Sequence, residues 1–240
     1  MDRFSLNDKV VVVTGAAGIL GQMFCRELVG AGARVVALDA DAQALARLCE
    51  QDHAEAIAAH CVDIRDRGQM AAVREQTLAR HGRIDGLLNN AASKSPNFFE
   101  PFESFPLEDW NDVMSVNLTG AFVCCQEFGS AMAAQGSGSV VNVLSVYGIV
   151  APDQRIYEGS KYLGRAINTP AIYSASKAGL LAYGEALRER LAADGIGVSL
   201  VLPGHIETAQ TAHHRGPMPL IMSPARAAAI IRSGLERGRD

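Results

Sequence analysis

The sequence predicts an α/β domain in three layers: a parallel sheet of six strands, doubly wound with helices on both faces. Three observations carry that expectation. Val10-Val-Val-Val13 is an unbroken β-branched run that suits a strand covered on both sides. Gly15, Gly18 and Gly21 come next, and behind them Ile19, Leu20, Phe24, Leu28 and Val29 recur at helical spacing until Gly30-Ala-Gly32. From there on, short apolar runs alternate with stretches of helical periodicity, the pattern of right-handed crossovers in a parallel sheet.

The bulk composition bounds the answer. At 240 residues, 48% hydrophobic and 20% charged, the chain suits one domain over 1–240 and is too short for two comfortable ones. A net charge of −4 gives no basic footprint for nucleic acid or an anionic membrane. No apolar run reaches the length of a bilayer span, and Met1-Asp-Arg-Phe4 lacks the apolar core of a signal peptide. Cys25, Cys49, Cys61, Cys124 and Cys125 form no C-x-x-C pair and no metal-like spacing, so the expectation is reduced thiols in a cytoplasm and no metal.

The first strand, glycine turn and helix make a Rossmann-like unit that points unpaired amides and a positive helix end at a pyrophosphate. A side chain at Gly15 would obstruct the turn, and one at Gly21 would push helix off strand. Arg34-Val-Val-Ala-Leu38 is the second strand, and it ends in Asp39 about twenty residues past the turn, where a carboxylate can accept from both ribose hydroxyls of an adenosine. An ordinary capping Asp is the plainer alternative. Asp39 would repel a 2′-phosphate, and only Arg34 at the far end of the strand compensates, so the expected cofactor is NAD rather than NADP.

The remaining elements follow in order. Residues 41–50 read as a short amphipathic helix, 56–62 as a weak strand closed by Asp63, and 70–80 as a helix ended by His81-Gly82. Residues 84–88 form the fourth strand, running into Asn89-Asn-Ala-Ala92. A polar loop over 93–106 carries Phe98, Phe99, Phe102 and Phe105, read as cover for a helix edge rather than a substrate wall. A long helix is expected over 107–134 with Asn117 in its middle, then a fifth strand over 140–144 ending at Ser145. A sixth strand over 198–202 ends at Pro203-Gly204, and 223–238 reads as an amphipathic helix with Pro224 in its first turn.

Tyr173 and Lys177, four apart, project from one face of a helix running to about Ala193. A phenol is a poor base at neutral pH, and an adjacent ammonium together with an oxidised nicotinamide would draw its pKa down. The same Y-x-x-x-K spacing occurs at Tyr157 and Lys161, nearer Ser145. After Lys161 come Gly164 and Pro170 and no apolar periodicity, whereas Leu180, Leu181, Tyr183, Leu187 and Leu191 continue a helix behind Lys177. Tyr173 and Lys177 are therefore the expected catalytic pair, with Tyr157 and Lys161 in a loop that can touch substrate.

Thr14-Gly…Gly21, Asp63, Asn89-Asn-Ala-Ala92, Val116-Asn-Leu-Thr-Gly120, Ser145, Tyr173-Ser-Ala-Ser-Lys177 and Pro203-Gly-His-Ile-Glu-Thr208 come in the order seen in the short-chain dehydrogenase/reductase family, which the chain resembles over about residues 8–208. The resemblance implies catalysis by Ser145, Tyr173, Lys177 and Asn117, with Ser145 orienting the substrate oxygen. It implies that Asn117 holds a water leading from the lysine to solvent, although a structural Asn at a kink fits equally well. It places Gly15, Gly18, Ile19, Leu20, Gly21, Asp39, Val62, Asp63, Asn90, Tyr173, Lys177, Pro203, Gly204, Ile206 and Thr208 along the dinucleotide. A homodimer through the 107–134 and 171–193 helices is also implied.

Three departures qualify the resemblance. Ile19 stands where short members carry their middle glycine, as in the extended relatives, and Ser145-Val-Tyr-Gly148 is also similar to those. Ser145 and Tyr173 lie 28 positions apart, about twice the common gap, so the loop at 152–170 is an insertion. Its Arg155, Lys161 and Arg165 suggest clamps for a polyhydroxylated or anionic substrate, and the stretch resembles bacterial members linked to surface-sugar biosynthesis; a solvated shielding loop is the alternative. The lid and tail at 208–240 end in a helix with no seventh strand, which weakens the expectation of a tetramer. The expected activity is NAD-dependent interconversion of a secondary alcohol and a ketone. The rivals are a nucleotide-sugar epimerase or dehydratase using NAD transiently, and a dinucleotide-sensing protein without turnover.

Overall fold

The structure is a computed structural model that describes all residues except 1–5, 51–53, 163, 209–210, 214–217, 219–220 and 238–240. In chain order the elements are β1 (Val10–Thr14), α1 (Ile19–Gly30), β2 (Arg34–Asp39), α2 (Ala42–Cys49), β3 (Ile57–Cys61), α3 (Arg67–His81), β4 (Gly86–Asn89), α4 (Leu107–Met114), α5 (Ala121–Gln135), β5 (Gly138–Val143), β6 (Lys161–Tyr162), β7 (Arg165–Ala166), α6 (Ala171–Ala192), β8 (Ile196–Val201) and α7 (Pro224–Arg237). Six strands form one parallel sheet in the order β3-β2-β1-β4-β5-β8, with β6 and β7 a separate two-stranded hairpin. Apart from the helix expected over 107–134, helix bounds lie within three residues of those expected; α3 starts early because Asp66 caps it through Gln69 N.

The four valines of β1 show why the sheet is buried on both faces. Val11 and Val13 pack with Phe24, Leu28, Leu45, Ile231 and Leu235 from α1, α2 and α7. Val10 and Val12 pack on the other side with Met70, Val73, Phe128 and Met132 from α3 and α5. Alternation along one strand thus fills two aliphatic layers, and the three-layer arrangement follows. All strands of the sheet are parallel, so their carboxyl ends gather along one edge, where ligands collect in such folds.

The continuous helix expected over 107–134 is interrupted. A π-helical stretch, Ser115–Gly120, joins α4 to α5 and contains Asn117. The cause is Asn117 itself, whose Oδ1 accepts from Ser93 N (2.8 Å) while its Nδ2 donates to Ser176 Oγ (3.1 Å). The widened turn aims that side chain across to α6 instead of along its own helix. β8 forms one edge of the sheet, and among the described residues no strand pairs its outer side. Part of the tail expected to act as a lid, including 209–210, 214–217 and 219–220, lies outside the described residues.

Candidate active site

The glycine turn is shaped by two close approaches. Gly15 has φ +62°, and a Cβ there would lie 2.8 Å from Ala91 Cα. At Gly21 a Cβ would lie 2.0 Å from Gly15 O, so α1 runs directly against the turn that precedes it. Gly18 is the N-cap of α1, no side chain caps that end, and the first turn holds no acidic residue. The first-turn amides, those of Ile19, Leu20 and Gly21, are thereby left for an external anion.

Asp39 ends β2 beside this turn. Its Oδ2 accepts from Ala17 N (2.9 Å) and its Oδ1 from Asp41 N (3.0 Å), which fixes the carboxylate at the rim. A cleft of about 660 Å³ opens there, lined by Gly15, Gly18 through Gly21, Asp39, Val62, Asp63, Asn90 and Thr208 among others. Asn90 Nδ2 donates to Thr14 O and Gly15 O (3.1 and 3.0 Å), tying the β4 loop to the glycine turn. Pro203 O accepts from Val146 N (3.2 Å), so the Pro203-Gly204 turn abuts the turn after Ser145. Ile206 is buried and bridged to Met222, and Thr208 is held by Thr211. An uncapped helix end, a fixed carboxylate and an elongated cleft fit a dinucleotide.

Tyr173 and Lys177 lie in the first two turns of α6 and face the sheet. The Tyr173 hydroxyl is hydrogen-bonded to Ser145, and Lys177 Nζ donates to Val143 O (2.8 Å) while lying 5.9 Å from the Tyr173 ring centroid. Phe98 stands edge-on to the Tyr173 ring, centroids 6.2 Å apart, within a small cluster formed with Val113 and Ile172. Phe98, Phe99 and Phe105 therefore cover the α4–α6 edge as expected, with Phe98 walling the phenol, whereas Phe102 is 83% exposed and departs from that expectation.

The expected charge balance is corrected here. Burial pushes the Tyr173 phenol up, the hydrogen bond from Ser145 opposes it only in part, and the nearby Tyr157 adds to the rise. Burial also pulls Lys177 down to about 8. Burial thus dominates at Tyr173 in the protein alone, and it is Ser145 rather than Lys177 that opposes it.

The insert at 152–170 is built, not loose. Arg155 pairs with Asp153, and Arg165 donates to Pro96 O (2.8 Å) and pairs with Glu100. Neither guanidinium stands as a vacant clamp, because each is engaged by a carboxylate close at hand. Lys161 lies exposed on β6. Tyr157 OH meets Tyr147 OH (3.0 Å) and accepts from Thr169 Oγ1 (2.9 Å), giving a row of three hydroxyls. Tyr147 was not singled out from the sequence, although its position two residues after Ser145 is the signal that could have found it. A larger, mostly apolar groove of about 990 Å³ lies alongside, lined by Phe102, Trp110, Tyr147, Thr169, Ala171 and Ala178 among others, so two residues of that hydroxyl row belong to its lining while Ser145, Tyr173 and Lys177 do not. Among the described residues no His, Cys, Asp and Glu cluster could hold a metal, and no helix is long and apolar enough to cross a membrane.

Comparison with known proteins agrees with this geometry. A family model described as short chain dehydrogenase matches residues 9–169 and 162–218. The D-threitol dehydrogenase of Mycolicibacterium smegmatis is 30% identical over 83% of this chain and 71% of its own length. The probable galactose dehydrogenase GalD of Rhizobium meliloti is 31% identical over 85% and 73% respectively. A gluconate 5-dehydrogenase from Burkholderia cenocepacia in complex with NADP and tartrate is 25% identical with a TM-score of 0.79, covering 98% of this chain and 90% of that one. An NAD+-bound xylitol dehydrogenase, 22% identical with a TM-score of 0.81 over 96% and 93%, shares the fold. The family match runs from the first strand to beyond Thr208, and on it the chain belongs to the short-chain dehydrogenase/reductase family, as an oxidoreductase dependent on a nicotinamide dinucleotide.

Proposed function

We propose that the chain interconverts a secondary hydroxyl and a ketone on a neutral polyol or sugar, with NAD as the cofactor. Bound in the cleft, the dinucleotide supplies the hydride acceptor or donor. In reduction the protonated Tyr173 would give its proton to the substrate oxygen; in oxidation it would take the substrate hydroxyl proton as its own passes on toward Lys177. Ser145 orients the substrate oxygen toward it, and Lys177, with a pKa near the working range, passes the proton on. Asn117 holds the π-helical turn against α6 and so keeps the pair in place.

The observation that carries the substrate reading is the row of hydroxyls near Tyr173, formed by Tyr147 with Tyr157 and Thr169 of the insert. Hydroxyl groups match a hydroxylated ligand, and local pairing of Arg155 and Arg165 favours a neutral one over an anion. The D-threitol and galactose enzymes among its relatives agree with this choice. The test is NADH formation with D-threitol, xylitol and D-galactose against cyclohexanol. Preference for cyclohexanol would sink the polyol reading, and turnover without net NADH would indicate an epimerase or dehydratase.

NAD over NADP rests on Asp39. A phosphate dianion about 4 Å from that carboxylate meets roughly 4 kcal/mol of repulsion per unit charge at an effective dielectric of 20. NADH should bind at least ten times more tightly than NADPH by fluorescence titration, and Asp39→Ala should narrow the gap. We also propose a homodimer through α4, α5 and α6, supported by exposed Leu107, Trp110 and Phe122. Sedimentation checks it. Five unpaired thiols suit a reducing cytoplasm.

A further inference from the structure

A continuous chain of hydrogen bonds leads from Asp63 to the backbone of Tyr173 by way of Arg65 and Asp112, to which no reading above gives a part. Arg65 Nε and Nη2 donate to the Asp63 carboxylate (2.9 and 2.7 Å), and its Nη1 donates to Asp112 Oδ1 (2.9 Å). The other Asp112 oxygen accepts from Ser93 Oγ (2.8 Å). Ser93 N donates to Asn117 Oδ1 (2.8 Å), Asn117 Nδ2 to Ser176 Oγ (3.1 Å), and Ser176 Oγ to Tyr173 O (2.9 Å). Every link runs donor to acceptor, and no atom in it is asked to play two incompatible parts.

The two ends of this chain differ in stiffness. Asn117 and Ser176 are buried at 1% and 0% exposure, so their links have little room to slip. Arg65 and Asp112 are 42% and 41% exposed, and such an open pair is worth at most about 1 kcal/mol. Both residues line the dinucleotide cleft. A ligand that fills the cleft excludes water from the pair, lowers the local dielectric and strengthens it. The weak link is therefore the one that a ligand can tighten.

We propose that Arg65 and Asp112 are positioning residues that tie the catalytic helix to the adenine end of the cleft, so that filling the adenine pocket helps to set the position of Tyr173 and Lys177. The proposal rests on the cofactor reading of Asp39, Val62 and Asp63. AMP is the suitable probe, since it fills that pocket and lacks the nicotinamide half that approaches Tyr173. Hydrogen exchange followed by mass spectrometry on the full chain reads the effect. In the wild type, AMP should slow exchange several-fold at 62–66 and also at 93–95 and 171–177. Asp112→Ala should keep the first effect and lose the last two.

Ser93→Ala cuts the chain one link further on and should likewise lose protection at 171–177, which guards against a folding defect peculiar to one variant. A merely structural Asp112 would speed exchange without ligand but leave the AMP-induced difference unchanged. Protection that stops at 62–66 in the wild type, or that persists at 171–177 in both variants, overturns the proposal. Absence of protection at 62–66 in the wild type overturns the cofactor reading beneath it, a distinct result.

Discussion

The first crossover and the roof over Tyr173 are built on different principles. In the crossover, β1 is paired on both sides, its valines fill two aliphatic layers, and α1 touches the glycine turn backbone to backbone. In the roof, the 93–106 loop and the insert are joined mainly by side chains, Arg165 to Pro96 O and Glu100 and Asn168 to Phe99 O, and within the insert Gln154 bonds both backbone groups of Thr169. Geometry stored in backbone contact tolerates no added carbon, whereas geometry stored in polar side chains is made of exchangeable increments of about 1 kcal/mol. That difference explains how one scaffold can hold its cofactor cleft constant and vary what it covers.

The contrast is tested hardest at Gly21. A Cβ there would lie 2.0 Å from a carbonyl oxygen, and backbone cannot move aside as a flexible side chain would. Gly21→Val should cost more than about 3 kcal/mol, lower Tm by roughly 10 °C and abolish NADH binding. Calorimetry and fluorescence titration measure both, and near-normal binding would show that the helix can shift off the turn. Tyr173→Phe makes the complementary case, because it removes one oxygen and leaves the packing against Phe98. Turnover should fall about a thousandfold while NADH affinity and Tm stay put, a separation that stopped-flow kinetics and thermal melts can check.

Lys177 belongs to neither extreme. It is 4% exposed, its pKa is held down to about 8 by burial, and Val143 O supplies a hydrogen-bond partner. At pH 7 the folded chain therefore carries a buried ammonium at a cost of about 3 kcal/mol relative to an unperturbed lysine. Above pH 8 the native state releases that proton while the unfolded state keeps it to about 10.4, so native stability from this group rises with pH across the window. Lys177→Met should be inactive yet more stable than the wild type at pH 7, with the advantage shrinking toward pH 10. Denaturant unfolding at several pH values gives the curve, and a flat difference would mean that burial does not depress the lysine in the folded chain.

What the sequence made legible follows the same division. The valine run, glycine turn and Asp39 were readable because strand periodicity and the need for a bare Cα leave marks at fixed positions. That Tyr173 and Lys177 would share a regular helix, unlike Tyr157 and Lys161, was readable because only Lys177 is followed by an apolar helical face. The break in the helix at Asn117 was half readable, since a mid-helix Asn marks competition with the backbone but not its partners, Ser93 and Ser176. The roof was not readable. That Arg165 would meet Glu100 depends on how two loops fold back, and no periodicity records it. The phenol's burial was missed for the same reason, because Phe98 lies 75 positions away in sequence.

The smallest effect discriminates best between shield and specificity device. Arg165 bridges the insert to the 93–106 loop through Pro96 O and Glu100, and the Arg165–Glu100 pair is half-exposed, so Arg165→Ala should change global stability by less than about 1 kcal/mol. The fold beneath is not built on that pair. Loosening it should nevertheless let the Tyr147, Tyr157 and Thr169 hydroxyls drift, since Thr169 leads directly into the start of α6. A polyol that uses those hydroxyls should then show KM raised two- to fivefold with kcat nearly constant, because binding is lost equally from ground and transition states. A secondary alcohol without further hydroxyls should show no change. If both substrates lose kcat together, the roof acts by excluding water from Tyr173, and its hydroxyls have no part in choosing the substrate.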